Sequence, residues 1–130
     1  SIEMGLAEQW QSSFVEKFKN IHGITFLNPR RDDWDSSWKQ DKNDPQFREQ
    51  VLWELESLEL ADYIVIYFDP NTKSPISLLE LGAFMDKDRM FVVCPEGFWR
   101  KGNVDIVCER YQIPQFDTLD DVEKFLKSVL

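Results

Sequence analysis

Two glutamates fall at positions where a carboxylate could do chemistry. Glu80 lies in Ser74-Pro-Ile-Ser-Leu-Leu-Glu-Leu-Gly82, shortly after the apolar run Tyr63-Ile-Val-Ile-Tyr-Phe68. That run is short, continuous and rich in β-branched and aromatic residues, so it reads as a strand covered on both faces. Ser74 followed by Pro75 reads as a helix start, with Ser as N-cap and Pro at the first helical position. Glu80 is therefore expected early in a helix beyond the carboxyl end of a central strand, where open α/β sheets bind ligands. The helix dipole would help to keep it ionised. An ionised carboxylate in a cleft can attack the anomeric carbon of a sugar or stabilise an oxocarbenium-like transition state. The plain alternative is a surface Glu in a good helix.

Glu54 is the second candidate. Asp44-Pro45 starts a helix, with Asp as cap, that runs to about Leu60. Phe47, Val51 and Leu58 share one face of it, and Glu54 falls between them. Glu56 and Glu59 point elsewhere and read as solvated. A carboxylate on an apolar face must be paired, hydrogen-bonded or functional. The alternative is a Glu at the edge of the stripe that reaches water.

The loop Asn28-Pro-Arg-Arg-Asp-Asp-Trp34-Asp-Ser-Ser-Trp38 is long and polar, with two tryptophans. Trp34 and Trp38 can stack on a flat heterocycle or fold the loop onto the core; both readings stay open. Arg30 and Arg31 can bind phosphate or a base edge, or pair with the neighbouring aspartates. Asp33-x-Asp35-x-Ser37 lacks the Gly and closing Glu of a calcium loop, so no metal is expected. The lone His22, in a turn, argues against Ser-His-Asp chemistry, and neither GxGxxG nor a P-loop is present.

The chain has 130 residues, which suits one domain over 1–130, and 42% hydrophobic residues suffice for a core. A formal net charge of -9 argues against a nucleic-acid polymer as partner. No apolar run reaches membrane-spanning length and no signal-peptide pattern opens the chain. Cys94 and Cys108 form no CxxC and read as reduced thiols near the core, which suits a cytoplasmic setting.

The helices and strands that must position the glutamates can be placed by periodicity. Ala7 to Lys19 reads as a helix with Trp10, Phe14 and Phe18 on one face. Gly23 closes a turn before an expected strand at Ile24–Leu27. The Glu80 helix is expected to reach about Lys87, with a buried strand over Met90–Cys94 after it. Gly102 and Asn103 read as a loop before a helical turn over Val104–Cys108. Ile113–Phe116 reads as a short edge strand, and Leu119, Val122, Phe125, Leu126 and Val129 as the stripe of a closing helix. Strands alternating with helices imply an α/β fold with a parallel sheet covered on both faces. A doubly wound fold has a strand ahead of its first helix. Here that first strand is either missing or the sheet is smaller.

Taken in order, Ser1-Ile-Glu-Met-Gly5, Asn28-Pro-Arg-Arg31 with Trp34-Asp35, Glu49-Gln-Val-x-Trp53-Glu-Leu55, Ala61-Asp62, Ser74 to Gly82 and Lys101-Gly-Asn103 resemble the nucleoside 2-deoxyribosyltransferase-like superfamily. The resemblance is closest to its branch with NPRR and SPISLLELG signatures and covers nearly the whole chain. It implies a flavodoxin-like, three-layer α/β sandwich and enzymes that exchange bases on 2'-deoxyribonucleosides or hydrolyse deoxynucleotide N-glycosidic bonds. It makes Glu80 the nucleophile. It places Glu54 where the family carries an acid that contacts the base, although many members have Asp there. Asn28, Arg30 and Trp34 would shape the base pocket. Asn103 matches an Asn that reaches the sugar from a neighbouring subunit, which implies a homodimer or larger homo-oligomer. Ser74 stands where transferases carry Asp and nucleotide hydrolases carry a phosphate-contacting Ser. Ser1 matches another phosphate-binding Ser, but Glu3 replaces an Arg and would repel phosphate.

The expected ligand is thus a small nucleoside or nucleotide. No cofactor is expected, because protonation activates the leaving base. Three functions follow from the resemblance: deoxyribosyl transfer between bases, hydrolysis of a nucleoside 5'-monophosphate, or nucleotide binding without catalysis.

Overall fold

The computed structural model describes residues 9–30 and 39–130. Its centre is a parallel sheet of β1 (Ile64–Tyr67), β2 (Met90–Val93) and β3 (Gln115–Phe116), in that spatial order. Ile64 pairs with Met90 and Tyr67 with Val93, while Val92 and Val93 pair with Gln115 and Phe116. Helices join the parallel strands: α3 (Pro75–Phe84) between β1 and β2, and α4 (Lys101–Arg110) between β2 and β3. The remaining helices are α1 (Trp10–Glu16), α2 (Pro45–Leu60) and α5 (Leu119–Val129). This is an α/β fold of the flavodoxin-like, Rossmann-like kind, a three-layer sandwich around a parallel sheet.

The two faces of the sheet follow from the period of two along each strand. Ile64, Ile66, Phe68, Met90, Val92 and Cys94 enter one core, which Leu58 of α2, Leu81 of α3, and Val104 and Cys108 of α4 complete. Val65, Tyr67, Phe91 and Val93 enter the other, beneath Phe14 of α1, Phe18, and Val122 and Leu126 of α5. Every β2 residue is buried, as a central strand requires, whereas β1 alternates between buried and half-buried. Cys94 and Cys108 are free and buried, and burial pushes both thiols up to about 11.

Local signals set several boundaries. Asp44 caps α2 by accepting from the Gln46 and Phe47 N–H groups at 3.1 and 3.2 Å, and Pro45 takes the first helical position. Thr118 caps α5 through the Asp121 N–H. The far end of α2 is held by a residue with no such local signature. Arg89, just before β2, donates one Nη1 to the Leu58 and Ala61 carbonyls at 2.9 and 2.7 Å. A cation on the last carbonyls also complements the helix dipole. Replacing it (Arg89→Met) is expected to lower stability by about 1.5–3 kcal/mol in urea unfolding.

Four sequence expectations change. Ile24–Leu27 pairs with no strand among the described residues, and Phe26 and Leu27 are exposed. Its composition favours a strand, but a strand also needs a neighbouring edge within hydrogen-bonding reach. β1 is accordingly an edge strand among the described residues. The Val104–Cys108 turn is a full helix that begins at Lys101, so Gly102 and Asn103 lie in its first turn, not in a loop. Lys101 secures that start by donating to the Cys94 carbonyl at 2.9 Å and to Asp105 at 3.1 Å. The Glu80 helix stops at Phe84, where Met85 turns extended. Finally, Ser74 occupies the N-cap place of α3 without capping it. Its φ of 49° is left-handed, and its Oγ lies 2.7 Å from Thr72 Oγ1.

Candidate active site

A cleft of about 510 Å³ opens along the outer edge of β1. The stretch from Gly23 to Pro29 also lines it, and α2 and α3 bring Glu54 and Glu80 into the same cleft. The long apolar side chains in its lining include Trp10, Phe14, Phe26 and Trp53. Ser57 of α2 and Ser77 of α3 add hydroxyls.

Helix periodicity explains both glutamates. In α2, Phe47, Val51, Glu54 and Leu58 are all half-buried, while Glu56 and Glu59 are exposed. Glu54 is thus drawn inward with the apolar stripe. In α3, Leu81 is buried, Leu78 packs on the core and Glu80 is half-buried, whereas Ile76 and Leu79 face outward.

Two half-buried carboxylates facing one cleft disturb each other's ionisation. Burial, and then the charge of Glu54, push the Glu80 carboxyl up to about 7. Glu54 is also raised, by burial, against a lowering hydrogen bond from Gln50. The help that the dipole of α3 was expected to give the ionised form of Glu80 is thus outweighed. Glu80 lies past the first turn, where the dipole has faded, and desolvation prevails. Near neutral pH Glu80 is therefore within its titration range, coupled to Glu54.

Gln50 escaped the sequence reading. Its Nε2 donates to Glu54 Oε1 at 3.2 Å and to the Pro29 carbonyl at 3.3 Å, and the residue is 7% exposed. The available signal was its spacing, one helical turn before Glu54 on the same face. Gln11 of α1 also lines the cleft while buried, and its Oε1 has no partner among the described residues. A Gln amid the Trp10 and Phe14 stripe gave that away only in part.

The other expected site residues divide. Asn28 and Pro29 line the cleft, and Asn28 Oδ1 accepts from the Arg30 N–H at 3.0 Å, which shapes the turn. Arg30 is half-buried beside it but not in the lining. Ser74 is 3% exposed and also outside the lining. Asn103 is exposed on α4, away from the lining. Ser1, Glu3 and Trp34 lie outside the described residues. Among the described residues no group of three or more His, Cys, Asp and Glu side chains is placed to hold a metal ion. None of the described helices is long and apolar enough to cross a membrane.

The geometry suits acid–base and nucleophilic work by two carboxyls on one ligand. No curated protein matches the chain. A family does match, over residues 1–98, which takes in both glutamates, the Asn28–Arg31 segment and Ser74. The chain belongs to the nucleoside 2-deoxyribosyltransferase-like family, and that membership marks it as a nucleoside-processing enzyme.

Proposed function

We propose that the protein cleaves the N-glycosidic bond of a 2'-deoxynucleoside and transfers the deoxyribosyl group to another base. The observation that carries this reading is the Glu54–Glu80 pair in one cleft, with both carboxyls raised by burial and Glu80 also by the charge of Glu54. The pair titrates as a unit, and its reactive form is the one with the proton on Glu54. In the first step an oxygen of the ionised Glu80 of that form attacks C1', and the bond from C1' to the base nitrogen breaks. The bonding pair leaves with the base, which takes the proton from Glu54. The product of this step is a glycosyl ester on Glu80. In the second step a nitrogen of the acceptor base attacks C1', the ester bond breaks, and the incoming base returns its proton to Glu54. Two displacements at C1' retain its configuration.

The first step needs one proton on the pair, whereas the second needs Glu54 ionised to receive the proton of the incoming base. With both carboxyls protonated there is no nucleophile, and with both ionised there is no acid. Activity should therefore fall as the pH rises past about 7, where the last proton leaves. Glu54→Gln removes both the acid and the like charge. The turnover number should fall about a hundredfold or more. The decline near pH 7 should vanish, because no acid is left on the pair to lose its proton. A pH–rate profile that keeps that decline would contradict the assignment of Glu54.

The apolar and aromatic lining supports transfer over hydrolysis, because it offers a second flat base a surface on which to stack. Ser74 Oγ, buried and engaged with Thr72, favours a nucleoside over a 5'-monophosphate that needs this hydroxyl. Chromatography tests the reading directly. Deoxynucleosides and their 5'-monophosphates are incubated with and without a free acceptor base. A new nucleoside that requires both acceptor and Glu80 is the expected product. Free base formed equally well without acceptor would mean a hydrolase. No Glu80-dependent product at all would leave nucleotide binding without catalysis.

A further inference from the structure

We propose that Gln50 is a positioning residue, whose side-chain amide locks the Glu54 carboxyl in register with the Asn28–Arg30 turn. The inference rests on the glycosidic reading above and deepens it. A primary amide has two N–H groups, and Gln50 directs Nε2 at two acceptors, Glu54 Oε1 and the Pro29 carbonyl. The carbonyl is an acceptor at every pH. The NH2 end therefore stays turned to that side whether or not Glu54 is protonated, and a flipped amide would set oxygen against oxygen.

Two consequences follow. Oε1 of Glu54 is occupied by a donor, so the proton that Glu54 gives to the base resides on Oε2. The carboxyl and the turn that lines the cleft are also held by the side chain of one buried residue. A shift of the turn on ligand binding would move the acid with it. The amide also favours ionised Glu54, the direction in which this bond opposes the effect of burial.

The test is Gln50→Leu beside wild type and Glu80→Ala, with the chromatographic assay and the carboxyl titration of Glu54 followed by 13C NMR. The turnover number should fall about tenfold to a hundredfold with KM nearly unchanged. The alkaline limb of the pH–rate profile and the NMR titration of Glu54 should both move to higher pH. Gln50→Met, of similar length, should behave like the Leu variant. A wild-type turnover number and alkaline limb in folded variants would overturn the role of Gln50, and so would a loss of thermal stability alone. If the wild type turns over no substrate, the glycosidic reading falls instead. The NMR titration still decides on the lock, and an unmoved Glu54 would overturn it.

Discussion

Glu80→Gln should lower nucleoside turnover by at least about a thousandfold, because it deletes the atom that forms the new bond at C1'. Gln keeps the size and the hydrogen-bonding capacity of Glu. It cannot carry the negative charge that attacks, nor be released as a good leaving group from the ester. A residue that merely held the sugar by a hydrogen bond would be replaced with much less loss. Measurement of single-turnover product formation separates the two cases, since binding and product release drop out. Loss of less than about tenfold would remove Glu80 from the role of nucleophile. KM for the deoxynucleoside should change little, because the cleft walls that surround the ligand are untouched.

The same substitution should stabilise the protein. The Glu80 carboxyl rises from 4.5 to about 7 on folding, mainly because burial penalises its charge. Between those two values the folded chain binds a proton that the unfolded chain has released. Stability therefore falls as the pH rises from about 4.5 to about 7, and the loss is complete above 7. The shift corresponds to about 2–3 kcal/mol, after allowance for the partial exposure of the side chain. Gln carries no charge at either end of that range. Urea unfolding should give variant and wild type similar stability near pH 4.5, with the variant about 2–3 kcal/mol more stable at pH 8. Equal stabilities at pH 8 would mean that the cleft solvates Glu80 better than its burial implies. Such a conflict between stability and a poised charge is common at active sites.

The sequence carried what depends on local physics. α2 could be read from Asp44-Pro45 to Leu60, because a cap, a helix-starting proline and a 3.6-residue stripe lie within one segment. The inward turn of Glu54 came from the same stripe. β1 and β2 were legible as buried strands, because a run covered on both faces is apolar throughout. Contacts distant in sequence were hidden. Ile24–Leu27 has a strand's composition, yet pairing depends on a neighbour that the segment cannot specify. Arg89 reaches the end of α2 across the fold, and nothing around Arg89 announces it. Ser74 looked like a cap, but its left-handed backbone turns the hydroxyl to Thr72. The upward shift of the Glu80 carboxyl was hidden for the same reason. The dipole of its own helix was visible in the sequence, whereas its burial and the approach of Glu54 are tertiary.

The central claim is a covalent bond between Glu80 and the sugar. Intact-mass and peptide mass spectrometry on protein quenched during turnover of a 2'-deoxy-2'-fluoronucleoside tests it most directly. Fluorine at C2' destabilises the oxocarbenium-like transition states and prolongs the life of the ester. The expected result is a mass increase equal to the fluorinated deoxyribosyl group, located on the peptide that contains Glu80 and absent from Glu80→Gln. Continued release of base with no adduct on that peptide, or an adduct on another residue, would contradict the account.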